Sequence, residues 1–193
     1  MNKNIIVGST MALVVSLGLV SCGGDDDTAS ASDDNASATA ADDASVSDDA
    51  PILEILAVDY AFEGLPDSVE AGTRLRLTND APGELHELVA FRLDDDEERS
   101  VEEIVNLPPE EMEAALGAPT TVILAPPSSE QVAVPIGDGT LEEPGRYALV
   151  CLIPTGADPD EYMAAAADSD GPPDVAGGAP HIAHGMYGEL VVE

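Results

Sequence analysis

Positive charge is nearly absent from this chain. Lys and Arg total 6 against 39 Asp and Glu, for a formal net charge of −33. Lys3 is the one lysine, and the arginines are Arg74, Arg76, Arg92, Arg99 and Arg146. Such a balance excludes nucleic acid as a partner, because binding there needs a basic face. It favours solubility, suits basic partners and is equally what a saline habitat selects. Histidine is scarce, at three, and cysteine more so, at two. No stretch reaches the ~20 apolar residues that a spanning helix needs. The run from Ile5 to Val20 is broken by Gly8, Ser9, Thr10, Ser16 and Gly18. There is no nucleophile elbow, phosphate-binding loop or internal repeat. No pair of carboxylates stands in the apolar setting that marks acid–base catalysis. The expectation is a protein that is not an enzyme.

What is present divides the chain into three parts. A lysine, a short apolar middle and small residues at the end describe an export signal over residues 1–22. Its close, Leu19-Val20-Ser21-Cys22, resembles the lipobox of bacterial lipoprotein signal peptides. That resemblance implies that Cys22 carries a lipid and ties the protein to the cell membrane on its extracytoplasmic side. Residues 23–50 contain no Leu, Ile or aromatic residue, and Val46 is their only large apolar one. They cannot bury enough surface to offset the entropy of ordering, and their paired aspartates repel. A disordered acidic linker is expected. Residues 51–193 are then one domain of ordinary size. With Cys22 lipidated, Cys151 is the only thiol left. An unpaired cysteine outside the cytoplasm is either buried and inert or holds a metal.

Strand signals dominate residues 51–193. The segments 52–62, 73–79, 84–93, 120–125, 130–136, 145–153 and 187–193 are rich in β-branched and aromatic residues or alternate in polarity. In "TRLRLTN" Leu75 and Leu77 share one face, with Arg74, Arg76 and Thr78 on the other. Turn residues separate the segments, as at Asn79-Asp80-Ala81-Pro82-Gly83 and Gly137-Asp138-Gly139. About seven short strands with turn-rich connections predict an all-β sandwich. Two helical insertions interrupt it. Residues 94–116 hold a capping box from Ser100 to Glu103, then Pro108-Pro109 ahead of a second short helix. Residues 158–168 give another helical patch inside the insertion 155–180.

The soft-metal donors of the domain are His86, Cys151, His181, His184 and Met186, besides Met112 and Met163 in the helical insertions. A thiolate, two imidazoles and a weak thioether make the donor set of a blue-copper site. In order and context these residues resemble the cupredoxins, the plastocyanin-like type 1 copper domains. "DYAFEGLPDSVEAGTRLRLTN" is similar to their opening strands, and "NDAPGELHEL" places His86 seven residues after Asn79. "PGRYALVCLIP" is similar to the strand bearing the cysteine ligand, and "PHIAHGMYGELVV" to the family's ending. The resemblance implies a cupredoxin-like Greek-key β-sandwich with one type 1 copper held by His86, Cys151, His181 and Met186. His181 stands five residues before Met186, as the family's ligand does, which leaves His184 as a substitute for it. In the family the cysteine and the second histidine share one short loop, whereas here the 29 residues 152–180 separate them. Closing so long a loop costs a few kcal/mol more, growing as the logarithm of length.

The resulting expectation is a monomeric, lipid-anchored carrier of single electrons that meets a redox partner protein. Two other readings stand beside it, the first on the same ligands and the second on the insertions as an interaction surface. One is copper storage or delivery, and the other is a metal-free binding module of the same fold, since fold does not imply function. The acidic segment 100–116 reads as a solvated face more readily than as a docking surface.

Overall fold

The structure is a computed structural model that describes residues 50–167 and 171–193. The expected signal peptide, Cys22 and all of the expected linker but Ala50 lie outside the described residues. In chain order the first strands are β1 (Ile52–Val58), β2 (Ala61–Glu63), β3 (Ser68–Val69), β4 (Thr73–Asn79) and β5 (His86–Arg92). After the helices α1 (Val101–Val105) and α2 (Pro109–Leu116) come β6 (Thr121–Ala125), β7 (Ser129–Glu130), β8 (Ala133–Ile136), β9 (Thr140–Leu141) and β10 (Gly145–Val150). Helix α3 (Pro159–Ala167), a 3₁₀ turn (His181–His184) and β11 (Tyr187–Val192) complete the order.

The strands form two sheets. One runs β2-β1-β4-β7, with β9 also paired to β4. The other runs β3-β11-β10-β5-β6-β8. Within it the order β10-β5-β6-β8 returns a later strand beside an earlier one in antiparallel pairing, which is the Greek-key arrangement. The all-β sandwich with helical insertions expected from the sequence is therefore present.

The described residues form eleven strands rather than about seven: β3 and β9 are two-residue pairings outside the expected segments, and two expected segments each divide in two. "ILEILAVDYAF" does not run on as one strand. It reverses at Asp59-Tyr60, with Tyr60 in the left-handed region (φ 63°), so that β2 folds back on β1. "EQVAVPI" crosses between sheets. Glu130 pairs with β4, the Gln131 side chain accepts from Leu77 N–H at 2.8 Å, and Val132 N–H already donates to Leu124 on β6 at 2.9 Å.

Period-two alternation sets what faces the space between the sheets. From β4 it is Leu75 and Leu77, as the sequence predicts; from β1, Ile55 and Ala57; from β5, Leu88 and Ala90; from β10, Tyr147 and Leu149. Full burial of each large side chain stabilises by about 1.5–3 kcal/mol. Tyr147 is completely buried, yet its hydroxyl donates to the Glu143 carbonyl at 2.8 Å, in the manner of a tyrosine corner. The opposite face of β5 and β10 is covered too. Val89, Phe91, Ala148 and Val150 pack there against Val101 and Ile104 of α1 and Leu116 of α2. Ser100 caps α1 with the reciprocal Glu103 bonds that define a capping box.

Candidate metal centre

The alternation that builds the core also aims the site. On β5, His86 belongs to the row of Leu88 and Ala90. On β10, the row Tyr147, Leu149 continues into Cys151, the first residue beyond the strand. Both therefore point between the sheets at the same end of the sandwich. Asn79 sets the approach to His86. Its buried amide donates to the carbonyls of Glu84 (2.8 Å) and Ala125 (2.9 Å) and accepts from Ala81 N–H (2.9 Å), which fixes the turn 80–85. Buried polar groups satisfied this fully specify one conformation.

His181 arrives from the other side of the 29-residue connection, and the neck of that connection is closed by the backbone. Pro154 bridges Pro180, and Thr155 N–H donates to Ala179 (3.0 Å). His181 N–H donates to Ile153 (3.0 Å) and Ile182 N–H to Cys151 (2.8 Å). Residues 151–155 and 178–182 thus run side by side. Gly185 then ends the 3₁₀ turn at φ 102°, a conformation that favours glycine, and lets the chain enter β11. Met186 is fully buried. Its N–H donates to His181 (3.2 Å) and its carbonyl accepts from Cys151 N–H (3.1 Å).

His86, Cys151 and His181 are each 0% exposed, and one ligand atom from each lies within 4.8 Å of the others. His86 Nδ1 is 3.1 Å from His181 Nδ1, and Cys151 Sγ is 3.3 Å from His181 Nδ1. The Glu87 N–H points at the same sulfur from 3.5 Å. Among the described residues this is the one cluster of at least three such donors. Of the sequence-predicted ligands, the structure brings His86, Cys151 and His181 together and buries Met186 beside their backbone. His184 is exposed, with its ring 4.8 Å from that of Tyr60, while Tyr60 also meets the His181 ring edge-on at 5.0 Å.

The electrostatics suit a cation. Burial, reinforced by repulsion from His181, holds His86 down to about 4 despite the opposing charge of Glu84. Burial lowers His181 as well, against the pull of the Glu84 carboxylate, whose Oε2 is 3.4 Å from its Nε2. Both imidazoles are therefore neutral at pH 7 and offer lone pairs. Burial pushes the Cys151 thiol up, and the nearby Glu87 adds to this. Its thiolate becomes favourable only beside a positive charge.

The structure also supplies a residue that the sequence reading passed over. Glu87, a single carboxylate, is 5% exposed and stands in an apolar setting. Burial raises it to about 7, partly offset by hydrogen bonds from Leu152 N–H (3.0 Å) and the Tyr162 hydroxyl (3.1 Å). The signal was available in "HELVAF", where Val89 and Phe91 share the Glu87 face. An apolar row on both faces of a strand marks both as covered.

No protein-family model matches this chain, and neither does any curated protein sequence. Among solved structures it is similar to the dithionite-reduced auracyanin of the photosynthetic bacterium Roseiflexus castenholzii. That match has 20% identity over 74% of this chain and 96% of the other, with a TM-score of 0.37. It is similar to auracyanin A, a blue copper protein of Chloroflexus aurantiacus, at 19% identity over 74% and 98%, with a TM-score of 0.38. It is similar to reduced rusticyanin at 14% identity over 74% and 79%, with a TM-score of 0.36.

Proposed function

We propose that this protein carries single electrons on one copper ion that His86, Cys151 and His181 would hold, with Met186 as a weak thioether donor. The observation that carries the reading is the convergence of two imidazole nitrogens and a thiol sulfur in one fully buried place. Neutral imidazoles and a sulfur that ionises only beside a cation are the donors a soft metal needs, and thiolate with thioether selects copper. When bound, copper supplies a one-electron couple between Cu(I) and Cu(II). The residues supply the frame. β5 fixes His86, the paired neck fixes Cys151 against His181, and complete burial keeps bulk water from the donors. A frame held from several sides changes little when one electron arrives or leaves, and no substrate bond is made or broken.

The export-signal pattern and the lipobox at Cys22 support placement outside the cytoplasm on a lipid anchor. There a monomer would exchange electrons with a redox partner protein. Storage or delivery of copper uses the same donors and gives a different spectrum. The test is titration of the full chain with Cu(II). An intense visible thiolate-to-copper absorption that bleaches reversibly with a mild reductant is expected. Tight Cu(I) binding without that band would instead establish storage, and no bound copper by elemental analysis would leave a metal-free binding module. Cys151→Ser removes the thiolate and should abolish the band, and a variant that retained it would displace Cys151 from the site.

A further inference from the structure

Helix α3 lies in the insertion, and its packing is not that of a surface ornament. Tyr162 is 3% exposed, and with Ala157 and Val175 it joins the core cluster that contains Cys151. Met163, Ala165 and Ala166 lean on the same cluster. At the tip of the Tyr162 ring the hydroxyl meets Glu87 Oε2 at 3.1 Å, in a buried hydrogen bond between positions 75 apart in sequence. Glu87 Oε1 accepts from the N–H of Leu152, the residue after the cysteine, at 3.0 Å. The Glu87 backbone N–H faces the Cys151 sulfur, and the residue before it is His86. A second glutamate repeats the pattern. Glu84 Oε2 accepts from Gly156 N–H at 3.1 Å and lies 3.4 Å from His181 Nε2.

We infer that the insertion is part of the metal centre's frame, and that the Tyr162–Glu87 hydrogen bond is the clasp that fastens it. In the absence of a short loop between Cys151 and His181, the clasp does the positioning. It holds α3 against β5, and through Glu87 it fixes Leu152 and therefore the sulfur of Cys151 relative to His86. The Tyr162 hydroxyl bonds Glu87 and not a ligand, so Tyr162 is a positioning residue. Groups that orient metal ligands from behind typically change affinity 10–100-fold when removed. An unsatisfied buried carboxyl is costly in the same setting.

The inference rests on the copper reading above, and its test separates the two. Tyr162→Phe in the full chain deletes one oxygen and keeps the buried ring. Copper affinity is expected to fall by about tenfold. The visible band and the electron paramagnetic resonance hyperfine splitting should change, and the reduction potential should shift. A control that only weakens packing, Met163→Ala, should lower the thermal midpoint of the apo protein and leave the spectrum and potential in place. Glu87→Gln keeps an acceptor for Leu152 N–H and gains a donor for the Tyr162 oxygen, so it should retain the native spectrum. Glu87→Leu should lose it. If Tyr162→Phe binds copper with wild-type affinity, spectrum and potential, the clasp has no role and the inference is overturned. The copper reading fails separately if the wild-type chain shows no thiolate-to-copper band.

Discussion

The two insertions differ in what they add to apolar packing. Residues 94–116 close over the outer face of β5 and β10 with an apolar contact, Val101, Ile104 and Leu116 against Val89, Phe91 and Val150. Their polar ties are peripheral. Arg146 donates to the Glu97 and Arg99 carbonyls at 2.7 and 2.8 Å, and Arg99 pairs with Glu97. Residues 155–180 also bring Ala157, Tyr162 and Val175 into the core, and they add polar contacts next to the site: a buried hydrogen bond at Glu87, an exposed one at Glu84 and the Pro154–Pro180 bridge. Apolar burial is non-directional and contributes stability. A buried hydrogen bond is directional and fixes positions. The apolar contacts of either insertion should therefore register in stability, and the hydrogen bonds of the second in the metal centre.

The largest effect that would break this division is in the core of the first insertion. Ile104→Ala empties a completely buried position and should destabilise by about 2–5 kcal/mol in denaturant unfolding. The copper-thiolate band should stay in place, and a lost band would show that the two insertions are not separable. Next is the neck of the second. A methyl at Gly177 would stand 2.4 Å from Pro154 Cβ. Gly177→Ala should cost about 1–3 kcal/mol and, unlike Ile104→Ala, should alter the band, because it wedges residues 153–155 from 178–181. Unchanged spectra with unchanged stability would show that the neck yields freely.

Ser100→Ala removes the capping box of α1 and should cost about 1 kcal/mol, seen in the thermal midpoint of the apo protein, with no spectral change. The smallest effect concerns acid. Hydrogen bonds from Arg99 hold Glu97 down to about 2, below its ordinary 4.5. A depressed carboxylate contributes stability that is present above pH ~4.5 and is lost as pH falls towards ~2. Because the pair is at the surface, only a slight steepening of the acid limb is expected. Glu97→Gln should flatten it, and an identical limb in the variant would remove this pair from the account.

Much of this was legible because it is local or periodic. The capping box at Ser100, the break at Pro108-Pro109 and the inward Leu75 and Leu77 all follow from spacings of a few residues. So does the placing of His86 and Cys151 on inward rows. Asp59-Tyr60 was not legible as a reversal, because β-branched and aromatic residues continue across it and the left-handed Tyr60 is held by the rings it packs on. The burial of Glu87 was legible in part. Val89 and Phe91 mark its face as covered, but the groups that meet its carboxylate come from residues 152 and 162, far off in sequence.

The sequence by itself determined the sandwich, the donor types and their order along the chain, because side-chain chemistry and the strand period of two are written residue by residue. Only the tertiary structure decided that the donors meet. Whether 29 residues between Cys151 and His181 part them or loop away depends on backbone hydrogen bonds between residues 153–155 and 178–181, which no local pattern encodes. The same contacts bury His181, which its spacing to Met186 had already set ahead of His184, and leave His184 at the surface.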